Sequence, residues 1–333
     1  MTTSENATDA AAARGKHELQ LAIEEVHAKY RTLSEGELAT YIPELTRANP
    51  ADFGIAIATA DGRVFEAGDS RRPFTIQSIS KPFTFGMIID ELGHETVRKY
   101  VGVEPSGDAF NSIELQHGTN RPFNPMVNSG AITVTALLQE RFGRDSLDQL
   151  LRRFSEAAGH PLEVDEAVFE SERRTGHRNR AIAHLLLNFG MVNARAEEAL
   201  DLYFKQCSIL VTCRDLALMG ATLANMGQHP LTGVRVFDLA SVRHILSIMF
   251  TCGMYDYSGE WAYRVGVPAK SGVSGGVVAV VNRQLALATY SPPLDTHGNS
   301  RRGVEASADL ASRFGLHAFD CLNAGSSFLD VVL

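Results

Sequence analysis

Residues that read as β-strand sit in two places far apart in this chain: Ile55 and Ile57 with Val64 and Phe65 around Asp61-Gly62, and Val277 to Val281 with Leu285 to Tyr290 around Asn282-Arg283. Each set reads as a hairpin. Between them, from about Phe83 to Met249, apolar residues recur at helical spacing, most plainly in Ile132 to Phe142, Ala181 to Phe189 and Leu216 to Met226. The sheet is therefore built from both ends of the chain. Leu19, Ile23, Val26 and Tyr30 predict an amphipathic helix before the first hairpin, ending before Ser34, and a last helix is expected from about Val304 to Phe314. Helix and hairpin, helical insertion, hairpin and helix: this order predicts an α/β/α sandwich with an all-helical second lobe and a cleft between the two. The expected α/β lobe comprises about 15–82 and 265–333, the helical lobe about 83–264, together one domain. No internal repeat is visible.

The first hairpin leads straight to Gln77-Ser78-Ile79-Ser80-Lys81-Pro82-Phe83, where a serine precedes a lysine by three residues. On a helix, positions i and i+3 share a face, so a Ser78 that opens a helix has the Lys81 amine within reach. That is the geometry of a Ser-Lys nucleophile pair. A lysine serves as base only when it is neutral, which requires a buried site, since an exposed amine titrates near ~10.4. Phe74, Ile76, Phe83, Phe85 and Met87 supply apolar surroundings. Read alone, Ser-x-x-Lys is commonly a solvated first helical turn. Lysine is used sparingly here, however, at positions 16, 29, 81, 99, 205 and 270 only, and Lys270 opens a second short motif, Lys270-Ser271-Gly272.

The composition, 44% hydrophobic and 21% charged over 333 residues, is that of a globular chain with a substantial core. A net charge of -8 argues against nucleic acid or an anionic membrane as partner and leaves a small molecule as the expected one. Cys207, Cys213, Cys252 and Cys321 have neither Cys-x-x-Cys nor zinc-finger spacing, so reduced thiols and no metal are expected. Residues 1–14 are polar and alanine-rich, predicting a disordered tail with no signal peptide, and no later run is long enough to cross a bilayer. The cytoplasm is the expected compartment.

Six motifs stand in order: Ser78-Ile79-Ser80-Lys81-Pro82; Asn124-Pro125-Met126-Val127-Asn128-Ser129-Gly130-Ala131-Ile132; Ser171-Glu172 with Arg178-Asn179; Tyr203-Phe204-Lys205-Gln206-Cys207-Ser208; Cys252-Gly253-Met254-Tyr255-Asp256; and Lys270-Ser271-Gly272-Val273. Together they resemble the bacterial serine-dependent glutaminases, from about Tyr30 to Phe319. The resemblance implies the β-lactamase and DD-peptidase fold, an antiparallel sheet sandwiched by helices with an inserted helical lobe, in agreement with the element order. It implies hydrolysis of L-glutamine to L-glutamate and ammonia without a cofactor. A homo-oligomer, dimer or tetramer, is the expected assembly. Ser129 departs from the alanine common in the family after the asparagine, and no regulatory or repeat domain is expected beyond Leu333.

Carried over residue by residue, the resemblance makes Ser78 the nucleophile and Lys81 its base, with backbone N–H groups of Ser78 and Val273 as the oxyanion hole. Asn128, Glu172, Asn179 and Tyr203 then surround the substrate, with Tyr255 and Ser271 nearby. Glu172 is the only acid in this set and is assigned to the α-ammonium by charge, leaving the asparagines and a tyrosine to the α-carboxylate. Tyr255 is expected to move a proton to ammonia or orient the deacylating water. Other readings compete at single positions. Glu172, beside Arg173 and Arg174, reads alone as part of a solvated loop, Asn128 as the cap of a helix beginning near Ala131, and Tyr203 and Tyr255 as core aromatics. Two whole-chain alternatives remain. A β-lactamase or peptidase of the same fold would want Ser-x-Asn or Tyr-x-Asn in the helical lobe, whereas the sole instance is Ser4-Glu5-Asn6. A non-catalytic amino-acid-binding relative would be expected to replace Ser78 or Lys81, and both are present.

Overall fold

A computed structural model of the protein describes residues 18–107, 113–193 and 195–320. The expected tail at 1–14, Ser4-Glu5-Asn6 and Cys321 lie outside them. Two predicted hairpins meet in one five-stranded antiparallel sheet of order β2-β1-β7-β6-β5, with β1 Gly54–Thr59, β2 Val64–Gly68, β5 Ala269–Ser271, β6 Gly276–Val281 and β7 Leu285–Tyr290. β1 and β7, the inner ends of the two hairpins, pair from Gly54 with Tyr290 to Thr59 with Leu285. The sheet is indeed closed from both ends of the chain.

Every residue of β1 and β6 is buried because both sheet faces are covered. Ile55 and Ile57 face one way, into a core with Ala22, Ile23 and Val26 of helix α1 (18–30) and Val304 and Leu310 of helix α12 (Arg301–Phe314). Ala56 and Ala58 face the other way, toward helix α9 (Cys213–Ala224). α9 can lie close to the sheet because position 220 is glycine, where an added Cβ would come within 2.6 Å of the Ala286 Cβ. Its start is fixed by a capping box, with Thr212 Oγ1 accepting from Asp215 N at 3.1 Å and Asp215 Oδ2 accepting from Thr212 N at 2.9 Å.

The insertion is helical: α2 Ser80–Leu92, α3 His94–Val97, α4 Asn128–Phe142, α5 Ser146–Ala158, α6 Glu166–Thr175, α7 His177–Asn188, α8 Ala196–Cys207, α9, α10 Leu239–Cys252 and α11 Ser258–Arg264. α2 is buried from Ser80 through Ile89 on every side, so it is the central helix against which the others pack. α4, α6, α7 and α8 share a separate apolar core around Ile132, Phe169, Ile182 and Phe204. The sequence pattern misses one feature here. β3 (Phe74–Thr75) and β4 (Leu210–Val211) form a two-stranded ribbon that ties the entrance of α2 to the exit of α8. Among the described residues, no helix is long and apolar enough to cross a membrane.

Candidate active site

β3 leads into a 3-10 turn, Gln77–Ile79, and α2 begins at Ser80. Ser78 therefore stands on the turn before the helix rather than opening it, with Lys81 in the helix's first turn. Gln77 takes φ 49°, a left-handed conformation unusual for a side chain of this kind. The conformation is held by a stack of buried polar groups. Gln77 Nε2 donates to Thr75 Oγ1 at 3.2 Å, Ser80 Oγ donates to Gln77 O at 2.7 Å, and Gln206 Nε2 donates to Ser80 Oγ at 2.9 Å. Thr135 Oγ1 closes the stack on Gln206 Oε1 at 3.2 Å, so α2, α4 and α8 are cross-linked directly beneath Ser78.

Lys81 is 1% exposed. Its amine donates to Met126 O at 3.1 Å and to Asn128 Oδ1 at 2.7 Å. Burial lowers its pKa to about 8, against the opposing pull of Cys207 and Glu172. Asn128 is the first residue of α4 and its side chain caps nothing, against the competing reading of it as the cap of a helix beginning near Ala131; it forms a bridge. Its Oδ1 accepts from the Lys81 amine, its Nδ2 donates to Asn179 Oδ1 at 3.0 Å, and Tyr203 Oη donates to the same Oδ1 at 3.4 Å. Tyr203 is thus buried with its hydroxyl turned inward, not toward solvent.

Glu172 lies on α6 and is 4% exposed, which overturns its reading as part of a solvated loop. Its Oε2 is buried without a hydrogen-bond partner among the described residues. Burial raises the carboxyl to about 8, with Lys81 pulling it back down. A buried carboxylate oxygen left unpaired is costly, and it marks a position where a cationic donor would be gained.

On the opposite wall, Tyr255 sits in a 3-10 turn at φ 60°. Its hydroxyl donates to Ser271 O at 2.9 Å and lies near the Ser78 side chain. Burial raises the phenol well above its usual range. Ser271 ends β5, where Gly272 lets the strand approach the Ser78 turn: a Cβ there would meet Ile76 O at 3.0 Å. Val273 follows and is buried, and the Oγ of Ser271 has no hydrogen-bond partner among the described residues.

The nine predicted positions fall into two groups: Lys81, Asn128, Asn179 and Tyr203 are joined by hydrogen bonds, with Glu172 acting on Lys81 by its charge, and Tyr255 is bonded to Ser271, with Ser78 near the phenol and Val273 two residues on. Cavities of about 210 Å³ beside Tyr255 and about 330 Å³ beside Val273 flank them. A larger cavity of about 1150 Å³ lies elsewhere, between α10 and the β6–β7 turn, and contains none of these residues. Among the described residues, no three metal-ligating side chains cluster.

Tyr41 is a residue that sequence reasoning missed. Half of its surface is exposed, yet burial raises its phenol well above its usual range, with Glu172 and Tyr255 raising it further, in the segment before the 3-10 turn Pro43–Arg47. The only sequence signal was an aromatic placed just before Ile42-Pro43 in a stretch without periodicity.

The glutaminase family profile matches residues 36–319. The chain belongs to the glutaminase family. It is 53% identical over 300 residues to a glutaminase of Trichormus variabilis, covering 90% of each chain. Its structure resembles that of Mglu in its glutamate form, with a TM-score of 0.86 and 43% identity over 90% of this chain and 69% of that one. It also resembles a probable glutaminase from Bacillus subtilis complexed with 6-diazo-5-oxo-L-norleucine, with a TM-score of 0.83 and 36% identity over 90% and 97% of the two chains. The sandwich and helical lobe are the β-lactamase-like fold expected of glutaminases. The chain is a glutaminase, an amidohydrolase acting on a linear amide.

Proposed function

We propose that this glutaminase hydrolyses L-glutamine through an acyl-enzyme on Ser78. The observation that carries this reading is a buried Ser78 three residues before Lys81, whose amine is 1% exposed and held on Met126 O and Asn128 Oδ1. Ser78 Oγ attacks the side-chain amide carbon while Lys81 takes the hydroxyl proton. The oxyanion forms against the N–H groups of Ser78 and Val273. The carbon–nitrogen bond then breaks, ammonia leaves with a proton passed through Tyr255, and water, deprotonated by the same groups, cleaves the ester to give glutamate. No metal or cofactor enters any step.

The substrate head group is assigned to the other half of the network. The α-ammonium pairs with Glu172, whose Oε2 otherwise lacks a partner among the described residues, and Asn128, Asn179 and Tyr203 donate to the α-carboxylate. Ser271, whose carbonyl holds the Tyr255 hydroxyl and whose Oγ has no hydrogen-bond partner among the described residues, completes the set. The glutamate in Mglu and the diazoketone analogue of glutamine in the Bacillus subtilis relative are ligands of the class this pocket would take. The same reading makes the enzyme cytoplasmic and a homo-oligomer, dimer or tetramer, which light scattering and cell fractionation check. Its decisive test is Ser78→Ala: ammonia release from glutamine should vanish while the folded protein still binds glutamate. Near wild-type activity in that variant sinks the serine mechanism.

A further inference from the structure

The peptide group that carries the Ser78 N–H is held from behind by two side chains with no part in these steps. The N–H of Ser78 and the carbonyl of Gln77 belong to one planar amide, so a contact that fixes the oxygen also fixes the direction of the hydrogen. Gln77 O accepts twice, from Ser80 N across the 3-10 turn and from Ser80 Oγ at 2.7 Å. Ser80 has no solvent exposure, and its hydroxyl accepts in turn from Gln206 Nε2 at 2.9 Å. Gln206, on α8, is likewise fully buried. Its Oε1 stands 3.2 Å from Thr135 Oγ1 on α4, a hydroxyl that also reaches Ala131 O at 2.9 Å. Proton count sets the direction of this chain. A serine hydroxyl has one proton, and with that proton on Gln77 O the atom facing Ser80 Oγ must be a donor, which makes it the Gln206 nitrogen.

The opposite edge of the same amide is open. Among the described residues, neither the Ser78 N–H nor the Val273 N–H donates to a backbone oxygen, although both residues are buried. Buried N–H groups are nearly always paired, so two that lack a backbone acceptor at one site mark a place where a negatively charged oxygen would be gained. A hydrogen bond received at a carbonyl draws electrons from the amide nitrogen, and donors linked in a buried chain strengthen one another. The run from Gln206 Nε2 through Ser80 Oγ to Gln77 O therefore both aims the Ser78 N–H and makes it a stronger donor.

We propose that Gln206 and Ser80 are positioning residues of the oxyanion hole, which act through the Gln77 carbonyl to orient and polarise the Ser78 N–H. This rests on the acyl-enzyme reading and adds how its oxyanion donor is held. Their effect belongs to the transition state, where the negative charge appears, and not to the binding of substrate.

Gln206→Met keeps an unbranched side chain and deletes both of its hydrogen bonds, while Ser80→Ala, a smaller change, cuts the same chain at its middle. Each folded variant should lose about tenfold or more in kcat for glutamine while its affinity for glutamate stays within about twofold of wild type. Because both act through one carbonyl, Gln206→Met added to Ser80→Ala should cost little further, whereas independent packing losses would multiply. The peptide group can also be observed directly. Gln-Ser occurs once in the sequence, at Gln77-Ser78, so cell-free labelling with ¹³C′-glutamine and ¹⁵N-serine gives a single carbonyl–nitrogen correlation, that of this amide. It should shift in folded Gln206→Met, a substitution remote from it along the chain. An unmoved correlation, an unchanged kcat, losses that multiply in the double variant, or a fall in glutamate affinity as large as the fall in kcat overturns the proposal. Ser78→Ala separates the two levels. Activity in that variant ends the acyl-enzyme reading and the inference with it, whereas an inactive Ser78→Ala beside an unchanged kcat in Gln206→Met ends the inference alone.

Discussion

Glu172 offers the sharpest test of how substrate is held, because the carboxyl is buried, its Oε2 has no hydrogen-bond partner among the described residues, and burial raises it to about 8. A charge-assisted hydrogen bond to an ammonium contributes roughly 1.5–3 kcal/mol, or about a ten- to hundredfold change in affinity. Near pH 7, however, a carboxyl with a pKa of about 8 is about nine-tenths protonated and must lose its proton to pair with the ammonium. That loss costs roughly 1.4 kcal/mol per pH unit below the pKa. The full contribution therefore develops only as pH rises toward the free-enzyme value. The sign follows from linkage: the complex holds Glu172 ionised while the free enzyme holds it largely protonated, so binding releases a proton and tightens with pH up to about 8.

The assay is calorimetric titration of glutamine into Ser78→Ala and into Ser78→Ala with Glu172→Gln, at pH 7.0 and 8.5. The Gln variant should bind more weakly by about tenfold at pH 7.0, and the gap should widen several-fold at pH 8.5 as the free carboxyl ionises. The binding heat of Ser78→Ala at pH 7.0 should depend on buffer ionisation enthalpy, reporting the released proton, and that of the double variant should not. A glutamine analogue with hydrogen in place of the α-amino group should bind both proteins alike. Equal affinity of the two proteins for glutamine, or a gap that narrows as pH rises, refutes the assignment of the ammonium to Glu172.

The other expectations concern the chemical step. Lys81, lowered to about 8 by burial, must be neutral to act, so kcat/KM should fall about tenfold per pH unit below that value, and a profile flat from pH 6 to 9 would remove it as the base. Tyr255→Phe deletes the bond to Ser271 O and the phenol beside Ser78, and should lower kcat by about 10²- to 10⁴-fold with little change in KM; an unchanged kcat would leave Tyr255 only a packing role.

The sheet was legible because its strands are long, β-branched or small, and bounded by turns whose residues announce themselves, as in Asp61-Gly62 and Asn282-Arg283. The ribbon of β3 and β4 was not legible, since two residues carry no period. It exists through the pairing of Phe74 with Val211 and the stacking of Phe74 on Tyr290, centroids 4.1 Å apart, both contacts between remote parts of the chain. The site residues were legible as motifs, but their environments were not. Nothing local says that Glu172, beside two arginines, turns inward, or that α4 starts at Asn128 and frees that side chain to bridge Lys81 and Asn179.

Least legible were the backbone conformations that aim the reacting groups. Among the described residues, five other than glycine have positive φ: Gln77, Asn120, Met226, Tyr255 and Arg283. Asn120 is a residue type that tolerates the left-handed region, and Met226 and Arg283 lie in connections after α9 and between β6 and β7. Gln77 immediately precedes Ser78, and the Tyr255 phenol lies near it. Local preference opposes both conformations, so both must be imposed by tertiary contacts: the Thr75, Ser80 and Gln206 stack under the first, and Ser271 O with the Lys270 amine around the second. Strain of this kind survives only where surrounding bonds over-determine it. The sequence therefore encodes the aim of Ser78 not at Ser78 but in polar side chains buried on α2, α8 and β5, whose identity makes sense only once the helical insertion has folded back onto the sheet.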